Sequence, residues 1–123
     1  MLLDTSAWIE FFIGSEKGKR VKEILYINDC YTCIVTMAEV TNWAFKEKIS
    51  VKPLIEAIKN LSNIIELDED ISVLAGKLNF ERKKLNKKWG MLDSFILASG
   101  TIYGLKILTK DNDFKDISTV ELL

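Results

Sequence analysis

Four acidic residues stand where a carboxylate can do more than face solvent. Asp4 follows the short apolar run Met1-Leu2-Leu3, and Asp111 follows a second such run, Ile107-Leu108-Thr109. Asp93 opens the strongly apolar stretch from Leu92 to Tyr103, and Glu39 falls one turn into the segment Thr36-Met37-Ala38-Glu39-Val40. Gathered in one crevice, four like charges would repel and raise one another's pKa unless a cation neutralised them. The chain contains no histidine, which removes Ser-His-Asp and Cys-His catalysis and leaves zinc short of ligands. Oxygen ligands alone favour Mg²⁺ or Mn²⁺, and such an ion can activate water and stabilise charge developing on a phosphodiester. Taken singly, each acid has a plainer account: Asp4 and Asp93 as helix caps, Glu39 as the glutamate of a capping box, Asp111 or Asp113 as turn formers. The chemistry therefore depends on the fold bringing the four together.

The apolar pattern supplies a frame able to do so. Met1-Leu2-Leu3 is a minimal strand, followed by a helix carrying Trp8, Ile9, Phe11, Phe12 and Ile13. Gly14-Ser15 breaks that helix, and Val21, Ile24 and Leu25 recur at helical spacing in the next. Cys30 to Val35 reads as a second strand, after which the S/T-x-x-E spacing at Thr36 predicts a capping box and a helix to about Lys48. Ser50 and Pro53 mark the start of another helix, with Leu54, Ile55, Ile58 and Leu61 as its apolar face. Asn63 to Leu67 predicts a third strand, and Asp68-Glu69-Asp70 the acidic start of a long helix with Ile71, Leu74, Ala75, Leu78 and Leu85 turned inward. In the helix that follows, Leu92, Phe95, Ile96, Ile102 and Tyr103 spread around the circumference, which predicts enclosure on most sides. Ile107-Leu108-Thr109 is the fourth strand, and Ser118 to Leu122 a final edge strand.

Strands alternating with helices predict an α/β domain of three layers, α/β/α, with a mainly parallel central sheet of four to five strands. If strands one and four are neighbours at its centre, Asp4 and Asp111 meet at the carboxyl ends of the strands, where open α/β sheets bind ligands. Glu39 and Asp93 then converge on the same crevice.

A chain of 123 residues with 48% hydrophobic content supports one core, read as a single domain over residues 1–123. No run approaches the roughly 18 apolar residues of a membrane span, and the N-terminus does not resemble a secretory signal, so the expected compartment is the cytoplasm and no membrane is involved. A net charge of −1 gives no overall attraction to nucleic acid, which leaves that task to a local patch. Arg82, Lys83, Lys84, Lys87 and Lys88 with Trp89 form such a patch just before Asp93. They could grip a phosphate backbone and stack a base, or be a solvated helix end whose cations complement the dipole. Cys30 and Cys33 have C-x-x-C spacing but lie in strand-like sequence, and read as small buried apolar side chains.

In order along the chain, Met1-Leu2-Leu3-Asp4-Thr5-Ser6, the Thr36-Met37-Ala38-Glu39-Val40 helix start, Leu92-Asp93-Ser94-Phe95-Ile96-Leu97-Ala98 and Ile107 to Phe114 resemble the successive motifs of PIN-domain ribonucleases, especially the small VapC-type toxins. The resemblance covers the whole chain. It implies a Mg²⁺- or Mn²⁺-dependent endoribonuclease acting on RNA, often a homodimer, held inactive by a cognate antitoxin protein that occludes the acidic site. By that likeness Asp4, Glu39, Asp93 and Asp111 are the acidic quartet and Asp113 a fifth acid, while Thr5, Ser6 and Thr109 support water or phosphate. Two rivals remain. One is a non-catalytic RNA-binding or scaffold module of the same fold. The other is an aspartyl phosphotransfer domain, weakened by Ser6 standing where a haloacid-dehalogenase-like site would want a second Asp, and kept in view by Asp68 after the third strand.

Overall fold

The computed structural model describes all 123 residues. Its elements run β1 (Leu2–Leu3), α1 (Thr5–Ile13), α2 (Glu16–Ile27), β2 (Tyr31–Cys33), α3 (Val35–Glu47), α4 (Val51–Leu61), β3 (Asn63–Ile65), α5 (Glu69–Leu85), α6 (Met91–Tyr103), β4 (Ile107–Thr109), a 3₁₀ turn (Asn112–Phe114) and β5 (Val120–Leu122). The sheet has five strands in the order β3-β2-β1-β4-β5, and every pairing is parallel. The three-layer expectation holds, with β1 central and β4 beside it.

Alternation along the strands assigns the two faces. Leu2, Cys33, Ile65 and Ile107 pack with α5 and α6 through Ile71, Ala75, Ile96, Leu97 and Ala98. Leu3, Cys30 and Leu108 pack with Ala7, Trp8, Val21, Val40 and Ile58 from the first four helices. Neighbouring residues of one strand therefore serve opposite cores, as a period of two requires. Cys30 and Cys33 are free and buried, one in each core, and desolvation raises the pKa of both thiols, which fits apolar packing rather than redox chemistry.

Several local expectations are corrected. β2 ends at Cys33, and Val35 already belongs to α3. The capping box at Thr36 does not form: Ile34 is the N-cap of α3 without a side-chain bond, Thr36 is buried inside the helix, and the Glu39 carboxylate is bound by Thr5 instead. Sequence spacing alone could not tell a glutamate returning to its own helix end from one reaching across to α1. Leu85 does not turn inward and is 75% exposed, being the last residue of α5. Nor is α6 enclosed at its ends: Leu92, Ile102 and Tyr103 are exposed, and only its middle, Ser94 to Gly100 apart from Phe95, is buried.

Candidate active site

Asp4 is the N-cap of α1, and its Oδ1 accepts the backbone N–H of Ala7 at 3.0 Å. Ser6 Oγ donates to the same oxygen at 2.7 Å, and Thr109 Oγ1 donates to Oδ2. Thr109 in turn accepts the N–H of Asp111 at 2.9 Å, and Ser6 accepts that of Lys110 at 2.8 Å. One short network thus joins the end of β1 to the end of β4. Thr5 Oγ1 donates to Glu39 Oε1 at 2.6 Å, which ties α3 to the first residue of α1. Asp93 lies in the first turn of α6 and accepts the N–H of Gly90 at 3.4 Å. Asp111 caps the 3₁₀ turn through the N–H of Asp113.

These elements bring Asp4, Glu39, Asp93 and Asp111 onto one pocket of about 210 Å³, together with Thr5, Ser6, Ile9 and Ile96. Thr109 is buried behind Asp4. The carboxylates are not drawn tightly together, and no three of them are placed so as to grip an ion jointly. Each is held on its own hydrogen-bond donor, the arrangement expected of like charges that repel. As a donor set they still fit a hard divalent cation, being all oxygen and near enough together that Asp111, Glu39 and Asp4 add to the rise at Asp93.

Burial is the main cause pushing Asp4 up from 3.8 to about 6, opposed by the Thr109, Ser6 and Ala7 bonds and reinforced by Asp111. Burial also leads in raising Asp93 to about 6, with Asp111, Glu39 and Asp4 adding repulsion. A carboxyl raised in the fold favours folding fully below its unfolded value of 3.8, and that support is lost as pH rises through about 6. At pH 7.5 without metal both acids are therefore ionised at a cost. Asp4→Asn in metal-free protein should gain about 1–3 kcal/mol over the parent at pH 7.5, and the gain should vanish near pH 4, where Asp4 is already neutral. Thermal melts of both proteins at the two pH values check this, and an equal difference at both would show that the capping bonds dominate.

The remaining candidates are placed differently. Asp113 is not in the crevice; it lines a separate groove with Arg82, Lys88, Lys115 and Asp116, because the 3₁₀ turn carries it past Asp111. Trp89 is fully buried, so it is no surface for a base; the sequence placed it beside cations but did not show it folding back into the core. Its Nε1 donates to Ser94 Oγ at 2.7 Å, and its ring packs on Phe114 with centroids 4.8 Å apart. Arg82 is likewise not a free RNA contact. Its guanidinium covers the Trp89 ring at 4.6 Å, forms paired bonds to Asp116 at 2.8 and 2.9 Å, and donates to the carbonyl of Asp113 at 2.9 Å. Its buried Nε has no hydrogen-bond partner. This stack of Arg82, Trp89 and Phe114 clamps the end of α5, the loop before Asp93 and the turn after Asp111. Lys83 reaches the carbonyl of Trp89 at 2.6 Å, whereas Lys84, Lys87 and Lys88 are exposed, Lys84 lying over the ring of Phe80.

The family model described as PIN domain matches residues 1–120. No curated protein matches the chain in sequence. Among solved structures, the chain is similar to a toxin–antitoxin complex from Klebsiella pneumoniae, with 26% identity over 98% of this chain and 94% of the matched one and a TM-score of 0.78. It is also similar in fold to VapC20 of Mycobacterium tuberculosis, described as a toxin that cleaves the sarcin-ricin loop (14% identity, 95% and 94% covered, TM-score 0.76). VapBC2 of Rickettsia felis, bound to a DNA fragment from its promoter, shares the fold too (16% identity, 99% and 96% covered, TM-score 0.74).

Proposed function

The chain belongs to the PIN-domain family, and from that premise we propose that it is a divalent-metal-dependent endoribonuclease and the toxin of a toxin–antitoxin pair, a single nuclease domain acting as a homodimer in the cytoplasm. The observation that carries this reading is the crevice at the strand ends, lined by Asp4, Glu39, Asp93 and Asp111 and by almost nothing else that is charged. The likeness to the Klebsiella toxin–antitoxin complex supports a protein partner; RNA as substrate follows the description of VapC20. Exposed Lys84, Lys87 and Lys88, a few residues before Asp93 in the chain, are the cations this reading assigns to phosphate contacts.

In this reading Asp4, Glu39, Asp93 and Asp111 would hold Mg²⁺ or Mn²⁺, which would supply an activated water and stabilise charge on the scissile phosphodiester. The chain's own residues prepare for that. Thr109, Ser6 and the Ala7 amide fix both oxygens of Asp4, so that little side-chain freedom is left to lose on binding. Thr5 fixes one oxygen of Glu39, tying its carboxylate to the start of α1. The N–H of Gly90, at the cap of α6, donates to Asp93 and favours its ionised form.

Purified protein incubated with a mixed single-stranded RNA should cleave it with Mg²⁺ or Mn²⁺ and stop in excess chelator. Equal cleavage in chelator overturns the mechanism, and RNA binding without cleavage under any metal would leave a non-catalytic module of the same fold.

A further inference from the structure

Alongside the acidic crevice runs a second cavity of about 390 Å³, within the range of about 300–1,000 Å³ that small-molecule sites occupy. It shares Thr5, Ile9 and Glu39 with the crevice and continues to Asn42, Trp43 and Lys46. Glu39, Asn42, Trp43 and Lys46 are spaced i, i+3, i+4 and i+7, so one face of α3 presents an acid, an amide, an indole and an ammonium in succession. Trp43 is half-buried, whereas Trp8 and Trp89 are fully buried. At 1.5 Å rise per residue the indole lies about 6 Å along the helix from Glu39.

We propose that this groove is a nucleobase subsite, in which the base of a nucleotide flanking the scissile phosphate stacks on Trp43. The choice of a single-stranded nucleic acid over other occupants rests on three features. The groove shares residues with the crevice; its lining includes the half-buried indole of Trp43, an aromatic surface to which any base can stack; and Lys46 offers a cation at the end away from the carboxylates, where the next phosphate of a strand would fall. Asn42, exposed beside the indole, presents both a donor and an acceptor to a base edge. The subsite takes an unpaired nucleotide, since a base held in a duplex has no free face to stack. The proposal rests on the ribonuclease reading, but its test does not require cleavage.

Trp43 is the tryptophan within reach of a ligand, so its emission reports stacking. Titrating the protein in excess chelator with a short single-stranded oligoribonucleotide should quench fluorescence saturably, and Trp43→Phe should show no quench. In metal-dependent cleavage Trp43→Ala should raise KM about 5- to 160-fold, since stacking is worth about 1–3 kcal/mol per base, with kcat changed much less; Trp43→Phe should recover most of the loss. Asn42→Ala, an exposed change that leaves the packing of α3 intact, should raise KM by a smaller factor and shift the preference among homopolymeric RNAs. A wild-type titration that stays flat overturns the subsite, and so does a Trp43→Ala variant with parental KM. Should the protein cleave nothing, the titration alone decides: quenching keeps the subsite and rejects the nuclease. A groove that serves a protein segment instead would leave the oligoribonucleotide titration flat.

Discussion

Asp93→Asn should lose metal-dependent RNA cleavage by more than the roughly 10–100-fold that loss of a residue merely supporting a metal ligand costs, and should do so in a protein that remains folded. The substitution keeps an oxygen that can accept the Gly90 N–H at the start of α6, so the helix end survives. What it removes is the charge, which in the metal-free crevice is opposed by burial and by Asp111, Glu39 and Asp4. Mg²⁺ should therefore raise the melting temperature of the parent at pH 7.5 and that of the variant much less. Single-turnover cleavage and melts with and without metal separate the outcomes. Full activity in Asp93→Asn would return this acid to helix capping, and a variant that unfolds would make the cap its main role.

Gly18→Ala should be among the most damaging single-methyl changes in the chain. A Cβ at Gly18 would lie 2.0 Å from the Glu10 carbonyl oxygen and 3.2 Å from Phe11 Cα. Both are backbone atoms of α1, so no side chain can turn aside, and α2 would have to move off. A cost of about 3 kcal/mol, the upper end of overpacking, is expected, with a fall in melting temperature of roughly 10 °C. Because α1 also carries Thr5 and Ser6 beside Asp4, activity at moderate temperature should fall as well. Gly76→Ala is the matching control. Nothing lies within 4 Å of its added Cβ in the middle of α5, so the change should stabilise by about 0.5–1 kcal/mol through helix propensity. Denaturant unfolding of the two variants checks both signs.

The convergence of Asp4, Glu39, Asp93 and Asp111 was legible because each sits at a strand end or helix start, and the parallel α/β pattern places such ends on one edge. Glu39 reached the crevice for a reason the chain did not announce: its local spacing suggested a cap, and only the approach of α1 to α3 made Thr5 its partner. Arg82 and Trp89 were harder. A tryptophan among cations has the same local sequence whether it stacks on a ligand or folds back under an arginine, and the decision lay with Phe114 and Asp116, more than twenty residues away. The ends of α6 are exposed although apolar residues surround the helix, because that pattern shows that a helix can be enclosed, not that its neighbours enclose all of it. Asn42, Trp43 and Lys46 follow Glu39 at plain helical spacing, but that spacing alone assigns them no role. What gave them meaning was the cavity they line with Thr5 and Ile9, which no spacing reveals.

The central position of β1 also governs when the acidic crevice can assemble as the chain is made. Leu2 and Leu3 pair with Ile107 and Leu108, and Asp4 receives its Thr109 bond from 105 residues further along the chain. A ribosome adding about 5–20 residues per second must therefore release nearly the whole domain before the middle of the sheet can close, and contacts of such long sequence separation form slowly. Until then Asp4 has neither Thr109 nor Asp111 beside it, and half of the acidic crevice does not exist. A chain that lacks β4 is thus without Thr109 and Asp111 at this site, and the crevice is complete only once β4 has paired with β1.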